Sequence, residues 1–239
     1  NGAAGHQMVF ALKEPDGGQD AVFYSIGPTT ATRNESSNVI LEESFSKNTR
    51  PSGALVMSRS GDVMIMGGGK YTFHLVQQDI ADSAESSPRW TNVSVSVDPT
   101  GPAVDLSSDG TIMIVGRGYH NGENGDKNSA GIIRLYKMTS NPPAWLLEET
   151  FYGTKNQDYL GLRALSLSGD GRTVAGGSPT VSSAEAGHAS GKVSIWKERS
   201  PGQPWEKYTL RGTRVNENFG NEVSLSMNGN VLAVKSHSW

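Results

Sequence analysis

The sequence contains the segment Leu165-Ser166-Leu167-Ser168-Gly169-Asp170-Gly171, in which apolar and small residues alternate up to an Asp-Gly pair. Alternation with a period of two is typical of a half-buried strand, and Asp-Gly or Asn-Gly is typical of a tight hairpin turn. The segment therefore predicts a strand followed by a turn. Similar segments occur at Val104-Asp105-Leu106-Ser107-Ser108-Asp109-Gly110, at Val223-Ser224-Leu225-Ser226-Met227-Asn228-Gly229 and, more weakly, at Leu55-Val56-Met57-Ser58-Arg59-Ser60-Gly61-Asp62.

The spacing of these segments predicts the architecture. The turn glycines Gly61, Gly110, Gly171 and Gly229 are 49, 61 and 58 positions apart, which fits one four-stranded propeller blade per repeat. We name the predicted strands of a blade A, B, C and D; strand A precedes the turn and an apolar strand B follows it. The predicted B strands are 63–66, 111–115, 173–175 and 231–234, the C strands are 70–76, 132–137 and 192–197, and the D strands open at Trp90, Trp145 and Trp205.

The N-terminal segment fits the same scheme out of phase. Residues 4–10 match the start of strand C at 130–136, and residues 39–45 match strand D at 145–151. We therefore expect 220–239 and 1–51 to share one blade, which closes the ring and removes exposed strand edges. The predicted fold is a single all-β propeller domain of four four-stranded antiparallel blades, or a segment of a larger propeller. The other three blades lie at about 52–100, 101–160 and 161–219, and only 76–85 suggest a short helix.

Composition and missing motifs exclude several classes of protein. The chain has 21 Lys and Arg against 24 Asp and Glu and has no Cys. The basic excess of a nucleic-acid-binding protein is therefore absent, as are disulfides and thiolate metal sites. The sequence contains no run of 18 apolar residues, so no membrane span is predicted. Because Gly-x-Ser-x-Gly, His-Glu-x-x-His and P-loop motifs are missing, we expect no catalytic residues.

The repeats resemble a known family. Phe219-Gly220-Asn221-Glu222-Val223-Ser224-Leu225-Ser226 and the starts of strand C at 130–136 and 191–196 resemble FG-GAP-type, integrin-α-like propeller repeats and, more distantly, WD40 repeats. The resemblance implies a propeller used mainly for adhesion or protein–protein contact, sometimes with calcium in its loops. The compartment stays open, with an extracytoplasmic one, secreted or in an organelle lumen, slightly favoured.

One loop has the residue types of a calcium site. Asn124, Asp126 and Asn128 alternate, so their oxygens can converge on a hard cation. The pattern is incomplete, because Ser129 stands where a loop Gly is expected and no bidentate Glu follows. We therefore expect a weak calcium site or a plain polar loop, and no other cofactor.

Two regions are predicted to bind a protein partner. In antiparallel blades the B–C and D–A loops share one face, and loops on a rigid scaffold commonly carry recognition. There we expect contacts from Arg117, Tyr119, His120 and His188. The second region is the long C–D connection 14–38 of the split blade, which contains an apolar stretch; this stretch predicts either an exposed patch or a packed extra hairpin. Its candidate contact residues are Val22, Phe23, Tyr24 and Ile26.

These observations favour a non-catalytic protein-binding or scaffolding propeller, as a subunit or accessory of a larger assembly. A calcium-dependent adhesive or lectin-like domain and a propeller enzyme acting on glycans are the alternatives. The acids and tryptophans that recur once per repeat fit structural roles, since turn chemistry explains Asp109 and Asp170 and packing between blades explains Trp145 and Trp205. A sugar-stacking role for the tryptophans is the competing interpretation.

Overall fold

The computed structural model describes residues 7–13, 20–26, 39–45, 55–61, 63–68, 72–79, 89–95, 103–140 and 143–237. Within these residues all regular structure is β-strand, and no helix there has the length and apolar character needed to cross a membrane. The chain forms two compact units, Asn1–Pro51 and Ser52–Trp239. The strands are β1 (Gln7–Lys13), β2 (Asp20–Ile26), β3 (Val39–Phe45), β4 (Leu55–Met57), β5 (Val63–Gly68), β6 (Thr72–Asp79), β7 (Arg89–Val95), β8 (Ala103–Leu106), β9 (Ile112–Arg117), β10 (Ile132–Ser140), β11 (Pro143–Tyr152), β12 (Leu165–Leu167), β13 (Thr173–Ser178), β14 (Lys192–Lys197), β15 (Glu206–Arg211), β16 (Glu222–Leu225) and β17 (Leu232–Lys235).

The larger unit confirms the predicted four-stranded antiparallel sheets for three of the four blades. Strands β4–β7, β8–β11 and β12–β15 form three four-stranded antiparallel sheets, and β16 and β17 form a two-stranded sheet. Within each sheet the spatial order of the strands follows their chain order, as A-B-C-D. We call the three complete sheets blades 1, 2 and 3. The A strands β4, β8, β12 and β16 each contact the next, so successive sheets lie side by side along their first strands.

Apolar side chains fill the space between successive blades. One cluster joins Val63 and Ile65 of blade 1 to Tyr136 and Trp145 of blade 2. A second cluster joins blades 2 and 3, and in it Phe151 packs against Trp196 with ring centroids 4.8 Å apart. The prediction that a tryptophan of each repeat packs against the neighbouring blade is confirmed for the described tryptophans of blades 2 and 3. Burial of such rings is the main favourable contribution to blade association.

The A–B turns repeat one hydrogen-bond network. In blade 2 the Ser107 hydroxyl donates to Asp109 Oδ1 (2.6 Å) and accepts from the Ile112 amide (2.9 Å). The corresponding serines 168 and 226 bond in the same way to Asp170 and Asn228. The left-handed conformation falls on the following glycine, at φ +70° for Gly110. The repeated acids therefore close hairpins, as predicted.

The smaller unit corrects the strand assignment at the N-terminus. Its strands pair in the order β1-β2-β3, so the segment 20–26 is the middle strand and not an insertion between strands C and D. The register between β2 and β3 shifts between Phe23 and Tyr24, as the register between β10 and β11 shifts between Leu135 and Tyr136. By this register β2 corresponds to strand C, β3 to strand D and β1 to strand B. The prediction that the first strand is strand C is therefore wrong by one strand.

Two other expectations have different outcomes. The short helix expected from residue 76 is wrong over 76–79, because these residues end β6 and pair with β7. The rest of that segment, 80–85, lies outside the described residues. The shared blade is predicted with strands A and B from 220–239 and strands C and D from 1–51, but with β1 assigned to strand B both segments contain a strand B. Sharing of one blade and closure of the ring are not tested and stay predictions, and the strand count no longer favours the sharing.

Candidate functional site

The B–C and D–A loops of the larger unit are joined by backbone hydrogen bonds. After blade 2, the Gln157 amide donates to the Asn128 carbonyl (2.7 Å) and the Tyr159 amide donates to that of Ser129 (3.0 Å). One repeat later, the Asn216 amide donates to the His188 carbonyl at 2.8 Å. The predicted sharing of one face by these loops is thus confirmed. We call this surface, formed by 118–131, 153–164, 179–191 and 212–221, the loop face.

The backbone of the loop face follows the same unusual path in both repeats. Left-handed φ values of +46° to +59° occur at Ser129, Gln157 and Tyr159, and at their equivalents Ala189, Asn216 and Asn218. Such values are uncommon for residues with a Cβ and persist only where the surrounding structure fixes them. Close backbone approach is also required, because a Cβ on Gly116 would lie 2.1 Å from the carbonyl oxygen of Gly161. The loops are therefore tightly fixed to the blades.

A buried ion pair connects the loop face to a strand of blade 3. Lys192 Nζ lies 2.7 Å from Asp158 Oδ2, and their side chains are 6% and 0% exposed. Lys192 also donates to the Thr154 hydroxyl (3.0 Å), while Asp158 accepts from the amides of Thr154 and Lys155. Burial lowers the pKa of Lys192, and Asp158 opposes that shift. The pair ties the D–A loop to strand C of blade 3, two segments that are distant in sequence.

This ion pair was not among the predicted contacts, although the sequence contains a signal for it. Asp158 stands three residues before Gly161, and Glu217 stands three residues before Gly220 in the next repeat. Glu217 Oε2 accepts from the amides of Thr213 (2.7 Å) and Arg214 (3.0 Å) in the same way. The recurring acid therefore holds the D–A loop.

The structure places Tyr119, His120 and His188 on the loop face and Arg117 directly before it in the chain. Tyr119 is 65% exposed, and its ring meets the edge of Tyr159 with centroids 5.8 Å apart. The ring centroids of His120 and Tyr152 lie 6.4 Å apart, and Arg117 is the last residue of β9. His188 belongs to the next B–C loop, where its Nδ1 lies 3.1 Å from Asn216 Oδ1. Arg117, Tyr119 and His120 thus lie where β9 passes into the B–C loop of blade 2, and His188 lies in the corresponding loop of blade 3.

The calcium candidates make internal contacts. Both carboxylate oxygens of Asp126 accept from Lys127 Nζ, at 2.8 and 2.9 Å, and this hydrogen bond lowers the pKa of Asp126. Asn128 Oδ1 accepts from the Ser129 hydroxyl (3.1 Å), and Asn124 is exposed. In the part of the chain that the structure describes, no group of three or more His, Cys, Asp or Glu residues is placed to hold a metal ion. The calcium site stays a prediction.

The second predicted contact region lies in the smaller unit. Val22, Phe23, Tyr24 and Ile26 belong to β2, the middle strand of that sheet. Their interpretation as part of a connecting insertion is wrong, because β2 pairs with strands on both edges. Their role in partner binding stays a prediction.

Comparisons with known proteins identify the fold. No protein-family model and no curated protein matches the chain. The beta-propeller domain of Cps50 (Swd1) from Myceliophteria thermophila is 14% identical over 91% of this chain and 62% of that one, with a TM-score of 0.50. Sqt1 from Chaetomium thermophilum, bound to the N-terminus of ribosomal protein L10, is 10% identical over 80% of this chain and 41% of that one, with a TM-score of 0.45. A protein from Bacteroides uniformis named as a 6-phosphogluconolactonase is 10% identical over 93% of this chain and 62% of that one, with a TM-score of 0.49.

The chain spans less than two thirds of the length of each of these structures. At such identities a structural likeness concerns the fold alone. The likeness to the Cps50 (Swd1) domain agrees with the strand order and with the clusters between blades described above. The chain has the fold of WD40-like β-propeller domains, built from successive four-stranded antiparallel blades.

Proposed function

We propose that the chain is a non-catalytic protein-binding or scaffolding propeller and that its partner binds the loop face. The observation that carries this proposal is the pair of exposed Tyr119 and half-buried Tyr159, held on loops whose backbone is fixed by hydrogen bonds. Tyrosines on a rigid support give large contact area at a small cost in side-chain entropy, and they are enriched among the residues that dominate binding energy. Val215, 61% exposed on the same face, adds apolar surface.

Three of the five acids in the loop face make contacts that favour binding over catalysis. Asp158 and Glu217 are engaged by backbone amides, and Asp126 is paired with Lys127. A general acid or base needs a carboxyl group within reach of the substrate. In the described loops, Asp158 and Glu217 instead hold the backbone in place, and Asp126 is occupied by the neighbouring Lys127. The FG-GAP-type assignment and a closed ring belong to the same proposal and are supported by the repeated sequence segments.

The test is a comparison of two tyrosine variants of the tagged, full chain. Tyr119→Ala removes the exposed ring from the loop face, and Tyr208→Ala removes a ring that is 47% exposed on β15. In quantitative affinity capture we expect at least one protein to be enriched by the parent and by Tyr208→Ala and lost with Tyr119→Ala. Identical sets of captured proteins for all three chains would contradict the proposal.

A further inference from the structure

A groove lies between blades 2 and 3 at the ends of the strands opposite to the loop face. Its volume is about 480 Å³, within the size range of pockets that bury a ligand of several residues or a small molecule. One wall is strand D of blade 2, with Glu148 and Glu149, and the other is the C–D loop 198–204 of blade 3. Trp205 lies between the two walls. The groove is therefore separate from the loop face.

The wall formed by the C–D loop is ordered by its own hydrogen bonds. The Glu198 amide donates to the Arg172 carbonyl (2.9 Å), and Glu198 Oε1 accepts from the Gly202 amide (2.5 Å). The Gln203 amide donates to the Ser200 carbonyl (3.0 Å). Two prolines, Pro201 and Pro204, restrict the backbone further and line the groove. The groove is thus built before any ligand arrives.

Trp205 leaves an aromatic surface open to this groove. Its ring stands edge-on to Phe151 with centroids 5.3 Å apart, which fixes its position. The equivalent Trp145 of the preceding blade is only 8% exposed, whereas Trp205 is half-buried. Neighbouring side chains therefore cover Trp145, whereas the corresponding space beside Trp205 is open.

The charge of the groove is negative. Glu148, Glu149 and Glu198 face a single ammonium group, that of Lys137. Across the described residues none of these four side chains takes part in an ion pair, and each of Glu149 and Glu198 accepts only one backbone amide. Because the three carboxylates line one groove, each of them attracts a cation bound there. A positively charged ligand complements the groove.

We propose that this groove binds an extended peptide segment of a partner protein that carries Arg or Lys beside an apolar residue. The apolar side chain packs on Trp205 and the rim prolines, and the cation bonds to Glu148 and Glu198. Arg fits this setting best, because its planar guanidinium pairs with two carboxylate oxygens and stacks on an aromatic ring. The site lies outside the loop face and does not depend on the function proposed for it.

The probe is a fluorescein-labelled peptide, Gly-Ser-Arg-Leu-Arg-Ser-Gly, titrated with the full chain and followed by fluorescence anisotropy. The matched peptide has Gln in place of both Arg residues. The test variant is Glu148→Gln combined with Glu198→Gln, since Gln keeps the oxygen that accepts from Gly202. The control variant is Glu123→Gln combined with Glu185→Gln, which makes the same charge change at exposed positions of the loop face.

We expect the Arg peptide to bind the parent and the control variant equally, and the groove variant at least tenfold more weakly. We also expect the affinity of the parent to fall as salt rises, and the Gln peptide to bind at least tenfold more weakly than the Arg peptide. Equal binding to the parent and the groove variant would overturn the proposal, as would equal binding of the two peptides. Absence of binding to the parent at millimolar concentration would overturn it too.

Discussion

At the scale of single residues, the ion pair of Lys192 and Asp158 is the contact that we expect to matter most for stability. Lys192→Met leaves a buried carboxylate without its counter-charge, and such a change typically costs about 3–5 kcal/mol of the free energy of unfolding. The exposed pair of Lys235 and Glu222, with side chains 54% and 66% exposed, is the matched control. Lys235→Met should cost only about 0–1 kcal/mol. Urea denaturation at pH 7 measures both, and similar losses would show that the buried pair has no special weight.

Two acids of blade 2, Asp105 and Asp109, should affect the pH dependence of stability in opposite directions. Burial raises the pKa of Asp105, although the amides of Leu167 (2.7 Å) and Leu106 (2.9 Å) donate to it. Because the folded pKa is raised, the stability that protonated Asp105 contributes is present below the ordinary pKa of Asp and is lost as pH rises through the folded pKa. Relative to the parent, Asp105→Asn should therefore gain stability as pH increases from 3 to 7.

Asp109 is the control with the opposite sign. Burial acts to raise its pKa, but hydrogen bonds from Ser107 and Thr111 outweigh it and the pKa is lowered. The stability contributed by ionised Asp109 is present above the ordinary pKa and is lost as pH falls through the folded value. Asp109→Asn should thus lose stability relative to the parent as pH rises. Urea midpoints of the three chains between pH 3 and pH 7 test both signs, and parallel curves would refute the assignment.

At the scale of elements, β2 is now expected to hold the smaller unit together. As the middle strand it shares ladder hydrogen bonds with β1 and with β3, and each outer strand loses its partner when β2 is removed. Replacing residues 17–33 with a Gly/Ser linker should abolish hydrogen-exchange protection over 7–13 and 39–45. Unchanged protection of these two strands would restore the interpretation of 14–38 as an insertion.

Substitutions at two glycines distinguish the cost of a steric clash from the cost of an unfavourable backbone conformation. Ala at position 116 would place its Cβ 2.1 Å from the Gly161 carbonyl oxygen, and backbone atoms cannot move aside as a flexible side chain can. Such overpacking typically costs about 1–3 kcal/mol, and here we expect the upper end. Gly125 has φ +71° but nothing within 4 Å of an added Cβ, so Gly125→Ala should cost about 1 kcal/mol through conformation alone. Thermal unfolding of both variants gives the difference, and a smaller loss for Gly116→Ala would contradict it.

The sequence predicted the strands of the larger unit because its turns are local. The Ser, the Asp or Asn and the Gly of an A–B turn stand within four residues, and their hydrogen bonds stay within the hairpin. The likeness of Ala4-Gly5 to Ala130-Gly131 predicts the wrong phase for the smaller unit; the informative likeness is that of Phe23-Tyr24 to Leu135-Tyr136, where the register of both strand pairs shifts. Neither the pair of Lys192 with Asp158 nor the groove at Trp205 is local. Both arise where neighbouring blades pack, and the spacing of one sequence does not show which side chains meet there.

At the scale of the whole molecule, the chain carries two candidate binding surfaces on one unit. The loop face and the groove lie at opposite ends of the strands of blades 2 and 3. Effects of substitutions at such separate sites usually add, with deviations below about 0.5 kcal/mol. Tyr119→Ala should therefore abolish capture of the loop-face partner and leave the affinity for the Arg peptide within twofold of the parent. Glu148→Gln combined with Glu198→Gln should weaken peptide binding at least tenfold and retain the captured partner. If instead each substitution impaired both activities, the two surfaces would be coupled, and a scaffold with two independent contacts would no longer describe this protein.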